Sequence, residues 1–453
     1  MNREAASGSG WREHGPRDPA LIEKLASGWG DLEADASRDR SLDALADGAA
    51  VVVAGQQPGI FGGPLYALHK AATAIRWAAD RSRAGRPTVP VFWLASDDSD
   101  VAEADRYFAF AEDHLTVRLH HLGLGPPRSL DHIPMQAPLL AATRGLPARV
   151  PESMLPREGE AFPRWTARLL AEVFRGRGLM IIEPRALMPL AIPMTRRLIA
   201  ESSRLRAHVG GSRTLRPLPS GVTPFFGLAE GAKRRWILEE EASKLDAGRF
   251  TPSVQSRVFV QQHLFGATAQ ICGPGEMAYL ADLEAFAPHL DLPWPELVPR
   301  ASFALVGERA RRLAGDLGLD LELALREPGI LAARTEESDS GRRFLAGARE
   351  VLAALGRPID GSESFALRRA IHAAEAEIRH ADRRRGRRAN RARQALREIL
   401  LPRGRPQDRV FSTAICAMMP PDQLGALLVQ AVPSGERASA TRLLHLPDGV
   451  TDV

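Results

Sequence analysis

The chain has 453 residues, 44% apolar and 25% charged, with a net charge of +5 and a pI near 9.6. These proportions exclude a chain that is disordered throughout, no run reaches the roughly 18 apolar residues of a membrane helix, and the length predicts two or three domains. Two cysteines, Cys272 and Cys416, are too few for a disulfide framework or a cysteine-based zinc site, which fits a protein of the reducing cytoplasm.

Residues 1–48 are polar, with no apolar run behind the N-terminal charges to form a secretion signal, and read as a lead-in carrying one helix from Pro19 to Glu33. The first firm element is AAVVVAGQQPG, a β-branched run that breaks at Gly55 and is followed by a helix from Pro64 to Arg83. VPVFWLA, from Val89 to Ala95, predicts a strand buried on both faces, so the pair makes a parallel βαβ unit with a right-handed crossover. Residues 106–160 alternate short patterned stretches with prolines and read as an excursion of strands and loops. A helix from Phe162 to Arg175 leads into the buried strand of GLMIIEPR, and a further helix is expected from Pro189 to Ala207. Arg213 to Gly221 reads as a loop, Trp236 to Ala247 as a helix and Val254 to Phe265 as a mixed segment. AQICGPGEMAYLADLEAF then reads as strand, turn and helix, and LPWPELVPRASFALV as a strand.

From about Glu308 the strand signal stops. ERARRLAGDLGLDLELAL, RRFLAGAREVLAAL and Phe365 to Leu401 are helix-forming, and in the last of these Leu367, Ile371, Ala374, Ile378 and Ala381 recur at alternating spacings of four and three. The register continues through Arg385, Arg388, Ala392, Ala395 and Ile399, which predicts a coiled coil. The domain plan is therefore a lead-in (1–48), an α/β core (49–305) with insertions at about 106–160 and 208–265, a helical coiled-coil domain (306–401), and a segment (402–453) that docks back on the core.

Three features carry chemistry. Gly55, Gly59, Gly62, Gly63 and Pro64 crowd the end of the first strand, where backbone can approach a ligand closely and a helix N-terminus can receive an anion. Gln56 and Gln57 add polar groups, and Lys70 adds a charge. The same glycines also suit a tight turn without a ligand, and neither a P-loop nor a dinucleotide fingerprint is present. After the second strand, SDDSDVAEAD places Asp97, Asp98, Asp100, Glu103 and Asp105 within nine residues. In a parallel sheet this loop and the glycine turn are neighbours at the carboxyl edge, where ligands bind. Its carboxylates suit an amine, a magnesium ion or general-base work, and equally a solvated helix start. A third edge is GPGEMAYLADLEAF, with Gly273 and Gly275 before a helix, Glu276 and Tyr279 on one of its faces, and Arg300 after the next strand. The histidines have no metal-ligand spacing, so no metal site is assigned. The arginine run RHADRRRGRRANRAR lacks aromatics for base stacking and reads as a solvated face or partner-helix site rather than a nucleic-acid surface.

GQQPGIFGGPLYALHK followed by VPVFWLASDDSD resembles the paired signature of the bacillithiol-synthesis cysteine-adding family, BshC. GLMIIEPR, CGPGEMAYLADLEAF, VPRASFALVGER and LLPRGRPQDR occur in the family's order from Val51 to Arg409. The resemblance implies a Rossmann-like parallel-sheet core related to nucleotidyltransferases, inserted connecting segments, and a coiled coil that mediates homodimerisation. It also implies a cytoplasmic ligase that joins the carboxyl of cysteine to the amine of glucosaminyl-malate. The cofactor stays open, with ATP and magnesium as candidates, and no membrane partner is implied. The candidate catalytic residues are then Asp97, Asp98, Ser99 and Asp100. The candidate substrate- or nucleotide-binding residues are Gly55, Gln56, Gln57, Gly59, Gly63, Pro64, Tyr66, Lys70, Trp93, Glu103, Gly275, Glu276, Tyr279 and Arg300. The loop departs from the family's Glu-Asp-His-Asp: Ser99 stands where the family has histidine, and Asp105 and Arg106 replace an Asn-His pair. A related amine acceptor, a non-catalytic dimeric binding protein, and nucleic-acid binding through the arginine-rich helix are the alternatives.

Overall fold

The computed structural model describes residues 15–30, 32–146, 150–229, 232–332, 361–416, 419–434 and 440–447, with isolated positions between 343 and 353. The chain forms two units, the first made of Met1–Ala109, Arg118–Ala304 and Gln407–Leu444, the second of Phe110–Val117, Leu305–Pro406 and His445–Val453.

The first unit is organised by a parallel sheet. β1 (Ala50–Gln56) and β2 (Thr88–Leu94) are buried along nearly their whole length, as expected of apolar, β-branched runs covered on both faces. Between them, α3 (Tyr66–Arg83) packs on both strands through Ala67, Leu68, Ala71, Ala72, Ala74 and Ile75, small residues that let helix and sheet approach closely. β5 (Met180–Ile182) extends the sheet beyond β2, whereas β9 (Ala269–Cys272) and β10 (Glu296–Pro299) lie on the other side of β1, giving the order β10-β9-β1-β2-β5 with every pair parallel. Chain direction across the sheet thus reverses beside β1, and a reversal of this kind opens a crevice outside the carboxyl ends of the strands.

Several expected elements differ in detail. Residues 15–48 hold two helices, α1 (Pro19–Ser27) and α2 (Ala36–Ala46), each capped by an aspartate, Asp18 or Asp35, that accepts an amide hydrogen bond at 2.9 Å. Leu21, Leu25 and Leu45 are buried in the same core as β1 and β2, so this segment is part of the fold. The excursion after β2 contains α4 (Val101–Ala104), the two-stranded β3 (Arg106–Phe110) and β4 (Val117–His121), and α5 (Ala137–Arg144). Together with α6 (Phe162–Val173), it shelters a second apolar cluster around Phe61, Tyr107, Leu130, Met135 and Trp165. The single helix expected from Pro189 to Ala207 is a 3-10 segment, Pro184–Ala191, followed by α7 (Ile192–Ala200) and α8 (Ser202–Val209).

The helix expected from Trp236 to Ala247 is replaced by strand and turns. β6 (Val222–Leu228) pairs antiparallel with both β7 (Arg234–Leu238) and β8 (Thr251–Pro252), and Ala242–Lys244 and Ala247–Arg249 are isolated 3-10 turns. Cross-strand partners won over the local helix-forming residues here, Phe226 lying opposite Trp236. The mixed segment resolves into α9 (Arg257–Phe265), and α10 (Pro274–Glu284) follows β9. The helix Pro421–Ala431 packs on α3 and α6, so closely that a Cβ on Gly425 would fall 1.8 Å from the Val173 carbonyl oxygen.

In the second unit, α11 (Glu308–Leu317) and the 40-residue helix Gly361–Leu400 pack together, with Ala395, Leu396, Ile399 and Leu400 of the long helix buried. Of the expected seam, Ala374, Ala381 and Ala392 are half-buried and Arg388 is exposed. The side chains of Leu367, Ile371, Ile378 and Arg385, like most of the helix expected over RRFLAGAREVLAAL, lie outside the described residues. The side chain of Cys416 does too.

Candidate functional site

A cavity of about 740 Å3 opens at the carboxyl ends of β1, β2 and β9. The glycine turn, the acidic loop and the start of α10 all reach it, contributing Gly55, Gln56, Gln57, Lys70, Trp93, Asp97, Asp98, Ser99, Asp100, Glu276 and Tyr279. These segments are far apart in sequence and meet because each follows a strand of the same parallel sheet.

Lys70 projects from α3 back to the end of β1. Its ammonium donates to the Gly55 carbonyl (2.8 Å), to Gln56 Oε1 (3.2 Å) and to Glu276 Oε2 (2.7 Å), and both members of the Lys70–Glu276 pair are buried. Arg257 donates from α9 to Glu276 Oε1 (3.2 Å) and to the Tyr279 hydroxyl (2.7 Å). Burial alone would push the Glu276 carboxyl upward, but Lys70 and Arg257 outweigh it and hold the group below its ordinary value. Burial, opposed by Arg257, raises the Tyr279 phenol, which therefore stays protonated.

The four candidate catalytic positions have distinct environments. Asp98 Oδ1 accepts from the Ser99 and Asp100 amides (2.6 and 3.1 Å) and from Arg234 (3.3 Å), which shapes the turn. Asp100 caps α4 by accepting from the Glu103 amide at 2.9 Å. Ser99 lines the cavity with its amide engaged by Asp98. Asp97 is different: it is 4% exposed, its Oδ2 has no hydrogen-bond partner, and burial pushes its carboxyl up to about 6 against the opposing pull of Arg234 and Arg185. The loop is clasped from behind, as the Leu130 and Asp131 amides donate to the carbonyls of Asp98 and Ser96, and the Ser129 hydroxyl donates to that of Asp97. A second cavity of about 580 Å3 lies beyond Ser96, between Trp29, Asp131, His132 and Arg185.

The facing wall comes from the inserted sheet and α9, where sequence reasoning assigned no site residue. Phe226 and Trp236 stack with ring centres 3.9 Å apart, Arg234 lies over Phe226 at 4.1 Å, and Ser253, Val254 and Arg257 complete the wall. The available signal was the alternation in TPFFG and RRWIL, which the helix assigned from Trp236 onward obscured. Three cations (Lys70, Arg234, Arg257) face four carboxylates (Asp97, Asp98, Asp100, Glu276), and each cation is already engaged by Glu276 or Asp98.

The remaining candidates stand outside this cavity. Gly59 packs against Gly63 and exchanges hydrogen bonds with Thr166, while Pro64 bridges to Ser412, so the second half of the glycine turn is a packing device. Tyr66 stands behind the lining, accepting from Gln56 Nε2 (3.2 Å) and donating to Glu103 (3.5 Å). Gly275 falls within the first turn of α10. Arg300, expected at a ligand edge, is turned to the buried Asp408 (2.7 Å). Asp408 also accepts from Ser302 (2.8 Å) and lies 3.5 Å from His69. Although burial disfavours its charge, His69, Arg300 and Ser302 hold Asp408 well below the carboxylate range. Cys272 is buried, and burial raises its thiol, as suits a packing residue. Among the described residues no group of three or more His, Cys, Asp or Glu side chains is arranged to hold a metal ion.

The model of the bacillithiol biosynthesis BshC N-terminal Rossmann-like domain matches residues 11–214, the stretch that contains β1, the glycine turn, β2, the acidic loop and β5. Over residues 11–214 the chain is therefore similar to the BshC Rossmann-like domain. A protein of Koribacter versatilis named "Putative cysteine ligase BshC" is 31% identical over 320 residues, covering 62% of this chain and 60% of that protein. Proteins of the same name from Staphylococcus aureus and Staphylococcus epidermidis are 24% identical (69% of this chain, 66% of theirs) and 28% identical (62% and 60%). The matched region therefore spans about 60 to 66% of the length of these BshC relatives. A solved chain from Campylobacter jejuni named "putative arginyl t-RNA synthetase" aligns over 88% of this chain and 97% of its own at 11% identity, with a TM-score of 0.29. The parallel sheet and the BshC match agree on a Rossmann-like core. Among the described residues no helix is long and apolar enough to cross a membrane.

Proposed function

We propose that this chain is a cysteine ligase that forms an amide between the carboxyl of L-cysteine and a primary amine, with glucosaminyl-malate or a related amino-sugar conjugate as the acceptor. The observation that carries the reading is Asp97: a buried carboxyl with an unpartnered oxygen, facing the cavity of a BshC-type sheet edge. A group displaced upward to about 6 is poised to take a proton near neutral pH, as a general base should be. In this reading the acceptor's ammonium gives a proton to Asp97, the free amine attacks the carbonyl carbon of an activated cysteinyl group, and the bond to the leaving group breaks. Tyr279 and Arg257, paired at 2.7 Å, line the same cavity and could donate to a developing oxyanion.

Carboxyl activation by ATP is the chemistry the resemblance implies, but the lining charges fit it poorly. Lys70, Arg234 and Arg257 each hold an acid already, and the lining carries one more carboxylate than cation, so the cavity suits an amine better than a polyphosphate. A homodimer formed along the helix Gly361–Leu400 belongs to the same proposal, with cross-linking of purified protein as its check.

Purified protein incubated with cysteine and glucosaminyl-malate, with and without ATP and magnesium, should yield a product heavier than the acceptor by one cysteinyl residue and reactive with thiol reagents. Ser99 favours one other reading, a non-catalytic homologue that binds without reacting. Absence of product under every nucleotide condition, for both the wild type and Ser99→His, would establish that reading instead.

A further inference from the structure

We propose that the inserted sheet β6-β7-β8 is the specificity wall of the cavity, with Trp236 stacking the apolar face of a ring-shaped amine so that cyclic amines are accepted ahead of open-chain ones. This rests on the reading that Asp97 receives an amine. Along β6 successive side chains point to opposite faces. Phe225 is fully buried and packs beside Phe250, whereas Phe226 is half-buried and lines the cavity with its partner Trp236. An aromatic pair serving only as core would be enclosed as Phe225 is.

The stack is ordered from one end. Trp236 and the Arg234 guanidinium both lie within about 4 Å of the Phe226 ring centre, so they cover its two faces, and Phe226 has none left for a ligand. Arg234 is itself fixed, donating to Asp98 Oδ1 (3.3 Å) and to the Pro252 carbonyl (3.4 Å). Trp236 is left as the terminal plate, held in orientation on one side and half-exposed. A flat, preoriented indole binds a ring with little loss of side-chain freedom, and its electron-rich face favours polarised C–H groups and cationic substituents. A carboxylate in the same cavity supplies the second point of contact, for the amine. An open-chain amine can satisfy Asp97 but not the plate.

The test uses D-glucosamine and the open-chain amino alcohol serinol as probes, with binding to the full-length protein measured by calorimetry at pH 7.5. The wild type should bind glucosamine at least about tenfold more tightly than serinol. Trp236→Ala should remove most of that preference by weakening glucosamine alone, and Trp236→Phe should restore much of it. Thermal melting of each variant checks that it is folded. Equal weakening of both amines by Trp236→Ala, no weakening of either, or a wild type without preference would overturn the specificity wall. Asp97→Asn reports on the underlying reading separately: it should weaken both amines alike, and unchanged affinity for both would sink the amine reading while leaving the Trp236 result to be judged by itself.

Discussion

The cavity has two walls built on different principles. The parallel-sheet edge offers charges buried at the ends of strands, where Lys70 and Glu276 hold each other and Asp97 is placed by a loop clasped through its backbone carbonyls. The inserted antiparallel sheet offers the half-exposed faces of aromatic side chains, ordered by stacking. Charges buried in a rigid edge can be tuned for proton transfer, since small differences in their surroundings shift their ionisation strongly. A side-chain plate on a short sheet can change its ligand without disturbing that chemistry. In the proposed function, reactivity sits on the first wall and selectivity on the second.

The largest expected effect falls on Asp97. Asp97→Asn should lower the rate of amide formation by about 10²- to 10⁴-fold, and the wild-type rate should fall as pH drops through about 6, a limb that the variant lacks. Stability should move the other way. The folded-state carboxyl lies near 6, above its ordinary 3.8, so the fold favours the protonated form, and stability is lost as pH rises from about 4 through 6. Thermal unfolding of Asp97→Asn at pH 8 should therefore show a gain of up to ~3 kcal/mol, which disappears at pH 4. A variant no more stable than the wild type at pH 8 would mean that Asp97 is not strained by burial.

Next comes the buried pair. Lys70→Met leaves Glu276 with Arg257 as its remaining cation and should cost ~3 kcal/mol or more in urea unfolding, with the double variant Lys70→Met/Glu276→Gln recovering much of the loss. Gly59→Ala should cost about 1 to 3 kcal/mol while leaving KM for the amine unchanged, because the new Cβ would meet Gly63 Cα at 2.6 Å, away from the cavity. A raised KM without lost stability would return the second half of the glycine turn to the ligand site. Ser99→Ala should be the mildest, within about threefold of wild-type activity, since Ser99 bonds within the turn through its backbone amide, to Asp98, and its carbonyl, from Val101. A loss on the scale of Asp97→Asn would shift the chemistry to the hydroxyl.

Much of the parallel edge was legible in the sequence. A β-branched run ending in glycine and a strand ending in a string of acids are local patterns, and both ended up at one cavity because parallel strands present their carboxyl ends together. The inserted wall was not legible to the same degree, because Trp236 becomes part of a strand only when Phe226 lies opposite it. Arg300 misled for a related reason: it follows a strand of the sheet, as a ligand residue would, but Asp408, 108 residues later, captures its guanidinium.

By itself, then, the sequence determined the α/β unit from Ala50 to Leu94, the acidic loop after it and the resemblance to BshC, all of which rest on neighbours in the chain. Only the tertiary structure decided which of the four loop positions is the perturbed one. Asp98 and Asp100 are satisfied by amides one to three residues away, while Asp97 is enclosed by segments remote from it and left without a partner for Oδ2. The pairing of Lys70 with Glu276 across 206 residues was settled at the same level. Burial and charge compensation depend on what the whole fold brings near a group, and no local pattern encodes that.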